Sequence, residues 1–96
     1  MRKYEIMYIM PPDFDSEKTE AVIQKYSDIL TAEGGEIIEI NKWGKRKLAY
    51  EIDKTWKEGF YVLMTFNAEP AAVNELDRKM KISDDIIRQM ITRIEE

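Results

Sequence analysis

The 96 residues, 44% of them hydrophobic and 35% charged, suffice for one domain with one core, and the charge marks a soluble chain. No cysteine or histidine is present, which excludes disulfides, thiolate metal sites, thiol nucleophiles and the commonest general base. The net charge is −4, yet Lys42, Lys45, Arg46 and Lys47 fall within six positions that contain no acid.

The chain opens on Met-Arg-Lys-Tyr-Glu, which has no signal-peptide core, and no apolar run approaches a membrane span, so a cytoplasmic location is expected. Residues 3–10 alternate, with Tyr4, Ile6, Tyr8 and Met10 on one face and Lys3, Glu5, Met7 and Ile9 on the other, as in a strand with one packed face. Pro11-Pro12 ends it. Asp15 or Ser16 is placed to cap a helix over about 16–33, and Glu17 and Glu20 suit its dipole. Val22, Tyr26, Ile29 and Leu30 make its apolar stripe, with Ile23 at the margin, and Gly34-Gly35 stops it.

Residues 36–53 favour strand throughout, with Gly44 expected at a bulge or bend, followed by a loop from Asp53 to Gly59. Phe60, Val62, Met64 and Phe66 then alternate with Tyr61, Leu63 and Thr65, which reads as the second arm of an antiparallel hairpin. Pro70 opens a second helix whose stripe is Val73, Leu76 and Met80. Ser83-Asp84-Asp85 form a turn, and residues 86–94 a last strand, with Ile87, Gln89 and Ile91 opposite Arg88, Met90 and Thr92. Glu95-Glu96 are expected to fray. This order predicts a single α+β domain over 1–96, a ferredoxin-like βαββαβ sandwich: a four-stranded antiparallel sheet with both helices on one face. Its expected core includes Ile6, Tyr8, Ile29, Leu48, Val62, Leu76 and Ile91.

Residues 15–36 hold six acids against two lysines, whereas Arg2, Lys3, the 42–47 run, Arg88 and Arg93 lie on strands. The predicted sheet side is therefore locally basic, and local potential decides whether a phosphate backbone is accepted. Trp43 and Tyr50 bracket the basic run, a pairing of cations and flat rings that suits single-stranded nucleic acid. Lysines that guard an exposed edge strand explain the same run without any ligand.

The run Trp43-Gly44-Lys45-Arg46-Lys47-Leu48-Ala49-Tyr50-Glu51-Ile52, the opening Met-Arg-Lys-Tyr-Glu-Ile and the closing Ile86-Ile87-Arg88-Gln89-Met90-Ile91 resemble the bacterial family of the sixth small-subunit ribosomal protein, in register from residue 1 to about 94. The resemblance implies a structural, non-catalytic, ribosome-associated protein. It implies binding to the central domain of small-subunit ribosomal RNA as a heterodimer with the eighteenth small-subunit protein, whose basic charge offsets the acidity of this chain.

Arg46 is the leading candidate for an RNA contact, because its guanidinium fork matches phosphate and base edges; Arg2, Lys42, Lys45, Lys47, Arg88 and Arg93 accompany it. Lys45 and Lys47 alternate in direction with Arg46, so one surface receives all three only if Gly44 bends the strand. Tyr61, Leu63 and Met90 lie on the open face, available to a base or a partner. Trp43 is either a stacking platform or a cover for the hairpin, and Tyr4 either a stacking ring or core. Trp56 is read as a partial lid, and Tyr8 and Tyr26 as core. No cofactor, metal or small-molecule substrate is expected. The loop Pro11-Pro12-Asp13-Phe14 lacks the amides of an acylphosphatase-type phosphate cradle, and Asp84-Asp85 read as turn formers, so enzyme activity is not expected. A small-molecule sensing or dimerisation domain on the same fold is the alternative, and it gives no reason for the basic cluster.

Overall fold

A computed structural model describes residues 1–47 and 58–94. The order is β1 (Arg2–Met10), α1 (Ser16–Ala32), β2 (Glu36–Lys47), β3 (Glu58–Ala68), α2 (Pro70–Ile82) and β4 (Arg88–Arg93). The strands form one antiparallel sheet in the order β2-β3-β1-β4. Both helices supply side chains to the core on one face of it. The expected ferredoxin-like sandwich is the observed fold.

Asp15 caps α1, its Oδ1 accepting from the Lys18 amide at 2.7 Å. At the other end Gly34 takes φ 88°, the Gly34 amide donates to the Thr31 carbonyl and the Gly35 amide to the Leu30 carbonyl, each at 3.0 Å. That is a Schellman closure, and glycine adopts its left-handed position without a Cβ penalty. Proline at the first position of α2 forfeits an amide that has no helical acceptor anyway. Lys79 and Lys81 sit in its last turn, where positive charge suits the dipole.

The core is the even-numbered face of β1 and β3 (Ile6, Tyr8, Met10, Val62, Met64 and Phe66) under Val22, Tyr26 and Leu30 of α1 and Leu76 and Met80 of α2. Ile29 and Ile91 are half-buried against it, and Leu48 lies outside the described residues, as do Tyr50 and Trp56. Ile23 belongs to the stripe and Ile29 to its margin, the reverse of the expectation. At 3.6 residues per turn, Ile29 points about 90° from the centre of the buried set and Ile23 only about 30°. The Tyr8 and Tyr26 rings meet edge to face, with centroids 6.1 Å apart. Burial first, then Tyr26 and Glu20, pushes the Tyr8 phenol far above its ordinary value, so it stays neutral.

β3 begins two residues ahead of the expected Phe60, and the rest of the expected loop, Asp53 to Lys57, lies outside the described residues. Glu58 and Gly59 already pair with Lys47 and Arg46, and Lys47 opposite Glu58 joins unlike charges across the ladder. The last strand is shorter than expected, running from Arg88 to Arg93, with the Ile87 amide donating to the Ile9 carbonyl at 2.8 Å just ahead of it. Asp84-Asp85 form the expected turn. The Asp85 amide donates to Ser83 Oγ at 3.0 Å, and its carboxylate takes Lys25 Nζ at 3.1 Å, fastening α1 to this corner. That hydrogen bond raises the Lys25 ammonium above its ordinary value.

Candidate nucleic-acid and partner interface

Residues paired across an antiparallel ladder share a face, so the registers fix what the open side of the sheet carries. One row reads Glu39, Thr65, Glu5, Thr92 from β2 to β4. The next reads Asn41, Leu63, Met7, Met90, and the third Gly44, Tyr61, Ile9, Arg88. Beyond them Arg46 pairs with Gly59, and at the opposite end Glu36 pairs with Asn67 beside Lys3. An apolar band thus crosses the middle of the open face, with arginines at one end and, at the other, the three carboxylates Glu5, Glu36 and Glu39 against Lys3. The sheet side is basic at one end only. Glu36, counted with the helix in the sequence, and Glu39 both lie on this face.

Two bulges in β2 produce this pattern, one between Ile37 and Glu39 and one between Lys42 and Gly44. Each inserts a residue and reverses the in-out alternation downstream. The first puts both Ile37 and Ile40 on the core side and leaves Ile38 exposed. The second has Trp43 as its extra residue and Gly44 at φ 85°. Simple alternation would place Lys42, Gly44 and Arg46 on one face. With the bulge, Lys42 and Lys45 pair with the core-facing Val62 and Phe60, and Arg46 goes alone to the open side.

The basic run is therefore divided. Lys42 makes an ion pair with Glu20 of α1. Lys45 lines a cleft of about 320 Å³ with Phe14, Asp15, Ser16, Thr19, Glu20 and Phe60, where two carboxylates disfavour an anion. Lys47 is exposed opposite Glu58. Arg46 is exposed, its guanidinium carbon 5.9 Å from the Trp43 ring centroid, and Trp43 is itself 42% exposed. Arg88 lies at the same end of the face, three strand spacings or about 14 Å from β2. Arg2 and Arg93 are exposed at the far end, in register with the core-facing Ala68 and Tyr4.

Tyr61 and Leu63 are half-buried and Met90 is exposed, all on the open face as expected. Tyr4 is core. It is 8% exposed and stacked on Phe66 at 5.8 Å, which removes it from the candidates for stacking on a ligand. Met7 and Ile9 belong to the apolar band although they were not singled out from the sequence. Their signal was two apolar residues on the β1 face that also carries Lys3 and Glu5. Among the described residues no cluster of carboxylates is arranged to hold a metal, and no helix is long and apolar enough to cross a membrane.

The model of the family described as Ribosomal protein S6 matches residues 3–93. The chain belongs to the ribosomal protein S6 family. It is 56% identical over 93 residues to small ribosomal subunit protein bS6 of Desulforamulus reducens, covering 97% of each chain. It is 51% identical to bS6 of Exiguobacterium sibiricum over the full length of both. The crystal structure of 30S ribosomal protein S6 from Thermotoga maritima superposes with a TM-score of 0.89 at 31% identity, covering 97% of this chain and 87% of that one. Membership makes this S6-family chain a structural component of the small ribosomal subunit and not an enzyme.

Proposed function

We propose that the chain binds the central domain of small-subunit ribosomal RNA together with the eighteenth small-subunit protein, in the cytoplasm during subunit assembly. The observation that carries this reading is the placement of Arg46 beside Trp43, on the face and at the end that also hold Arg88 and Tyr61. A guanidinium fork next to exposed ring surface is suited to a phosphate and an unstacked base together. Lys47, Arg2 and Arg93 add contacts from the rim, Lys42 joins them only by leaving Glu20, and Lys45 only by turning out of the cleft it shares with Asp15 and Glu20. The partner covers the apolar band around Leu63 and Met90, and supplies positive charge that a chain of net −4 lacks.

The test is a titration of RNA with the chain, with and without the basic partner, at several salt concentrations. Arg46→Ala is expected to weaken ternary binding by roughly 1–3 kcal/mol and to flatten the slope of log K against log salt by about 0.7–0.9. Replacing Tyr61 and Leu63 with serine is expected to weaken joint binding while unfolding stays cooperative. An edge guard would instead leave affinity and slope unchanged and let the Arg46 variant self-associate.

A further inference from the structure

The open face is electrically two-ended about an apolar middle, and that arrangement is self-complementary. Consider a two-fold axis lying along the row Asn41, Leu63, Met7, Met90, between two sheets packed face to face. It keeps each strand above its own counterpart and reverses the ends. Arg46 of one copy then lies over the carboxylates Glu36 and Glu39 of the other, Arg88 lies beside Glu5, and Met90 and Leu63 meet in the middle. A two-fold axis parallel to the strands would lay Glu39 over Thr92, Glu5 over Thr65 and Arg88 over Gly44, which gathers the carboxylates of both copies at one end and the arginines at the other. Charge therefore selects the first orientation, and the gathering of like charges opposes the second.

We propose that the open sheet face closes against the same face of a second copy of this chain, with the two-fold axis crossing the strands. Four strands about 4.8 Å apart and some eight residues of about 3.4 Å give a face on the order of 500 Å² per protomer. That falls at the low end for specific association, so the dimer is transient and forms at micromolar or higher concentration. The inference goes beyond the RNA-binding reading and does not depend on it: it describes the chain alone, and a partner on the same face would displace the second copy.

The experiment is sedimentation of the purified full chain from about ten to several hundred micromolar, a range chosen for a transient interface. A reversible monomer–dimer equilibrium is expected for the parent. Arg46→Glu makes both ends of β2 acidic on this face, and the double change Glu36→Lys with Glu39→Lys makes both ends basic. Each protein alone is expected to lose association at least tenfold, and an equimolar mixture of the two to regain it. Met90→Glu, at a position 60% exposed, places a charge in the apolar middle without touching the core and is expected to weaken association by a similar factor. A parent that stays monomeric throughout overturns the proposal. So does dimerisation that survives in each charge-reversed protein, which would mean pairing through a sheet edge. Folded variants that fail to associate on mixing, or an unaffected Met90→Glu, also overturn it.

Discussion

Gly44 offers the sharpest test of how this sequence builds its candidate interface. Its φ of 85° lies in the left-handed region, where a Cβ costs about 1–2 kcal/mol. A Cβ built there meets nothing within 4 Å, so the surroundings add no clash. Losing glycine also stiffens the unfolded chain, which returns about 0.4–1 kcal/mol. Gly44→Ala is therefore expected to destabilise by roughly 1 kcal/mol, a fall in Tm of about 4–8 °C for a domain of this size. Gly44→Asn should lose less, because asparagine tolerates the left-handed region, and Gly44→Val should lose most. Urea denaturation and thermal melting of the three variants give the ranking. Strain relieved by discarding the bulge would carry Arg46 to the other side of the sheet, so the valine protein should also lose its salt-dependent RNA binding. Valine tolerated as well as asparagine would refute the argument that this bulge depends on a glycine backbone.

In the core, Ile6→Ala removes a fully buried side chain from the central strand and is expected to cost about 2–5 kcal/mol in chemical denaturation. Asp15→Ala deletes the acceptor of the Lys18 amide and should cost about 1 kcal/mol, with urea denaturation as the measure. The Asp77 carboxyl is held below its ordinary 3.8, chiefly by its hydrogen bond with Lys81, with a further bond from Gln89. A depressed carboxylate favours the folded state above its unfolded pKa and loses that contribution as pH falls through the folded value. Asp77→Asn should thus be less stable than the parent at neutral pH, by under about 1 kcal/mol for so exposed a pair. The difference should fade as pH falls below the ordinary 3.8 and through the lower folded value, when melting is followed across the acid range.

Most of the architecture was legible because each element carried its own period or stop. Residues 3–10 and 60–66 alternate, Asp15 and Gly34-Gly35 bracket the first helix, and Pro70 opens the second. The bulge at Gly44 was legible too, since a glycine inside a long strand needs a reason. The bulge at Ile38 was not. No glycine marks it, and its trace is the spacing Ile37–Ile40, which a search for strict alternation passes over. That miss had a consequence, because the bulge turns Glu39 outward and gives the open face its acidic end. Lys42 was hidden for another reason. Its ion pair with Glu20 depends on where α1 lies over β2, a tertiary fact with no local signature.

The strand order has a consequence for synthesis of the chain. β1 is made first, yet it lies inside the sheet, and both of its neighbours, β3 and β4, are encoded downstream. At about 5–20 residues per second, Ala68 follows Met10 into the nascent chain after roughly 3–12 s. Throughout that interval β1 has two unpaired edges and an apolar face that α1 alone can only partly cover. Local features keep it from pairing with other chains meanwhile: Lys3 and Glu5 interrupt its hydrophobic run, and Pro11-Pro12 deny it an extension. The centre of the finished sheet is thus the part of the protein that waits longest for its partners.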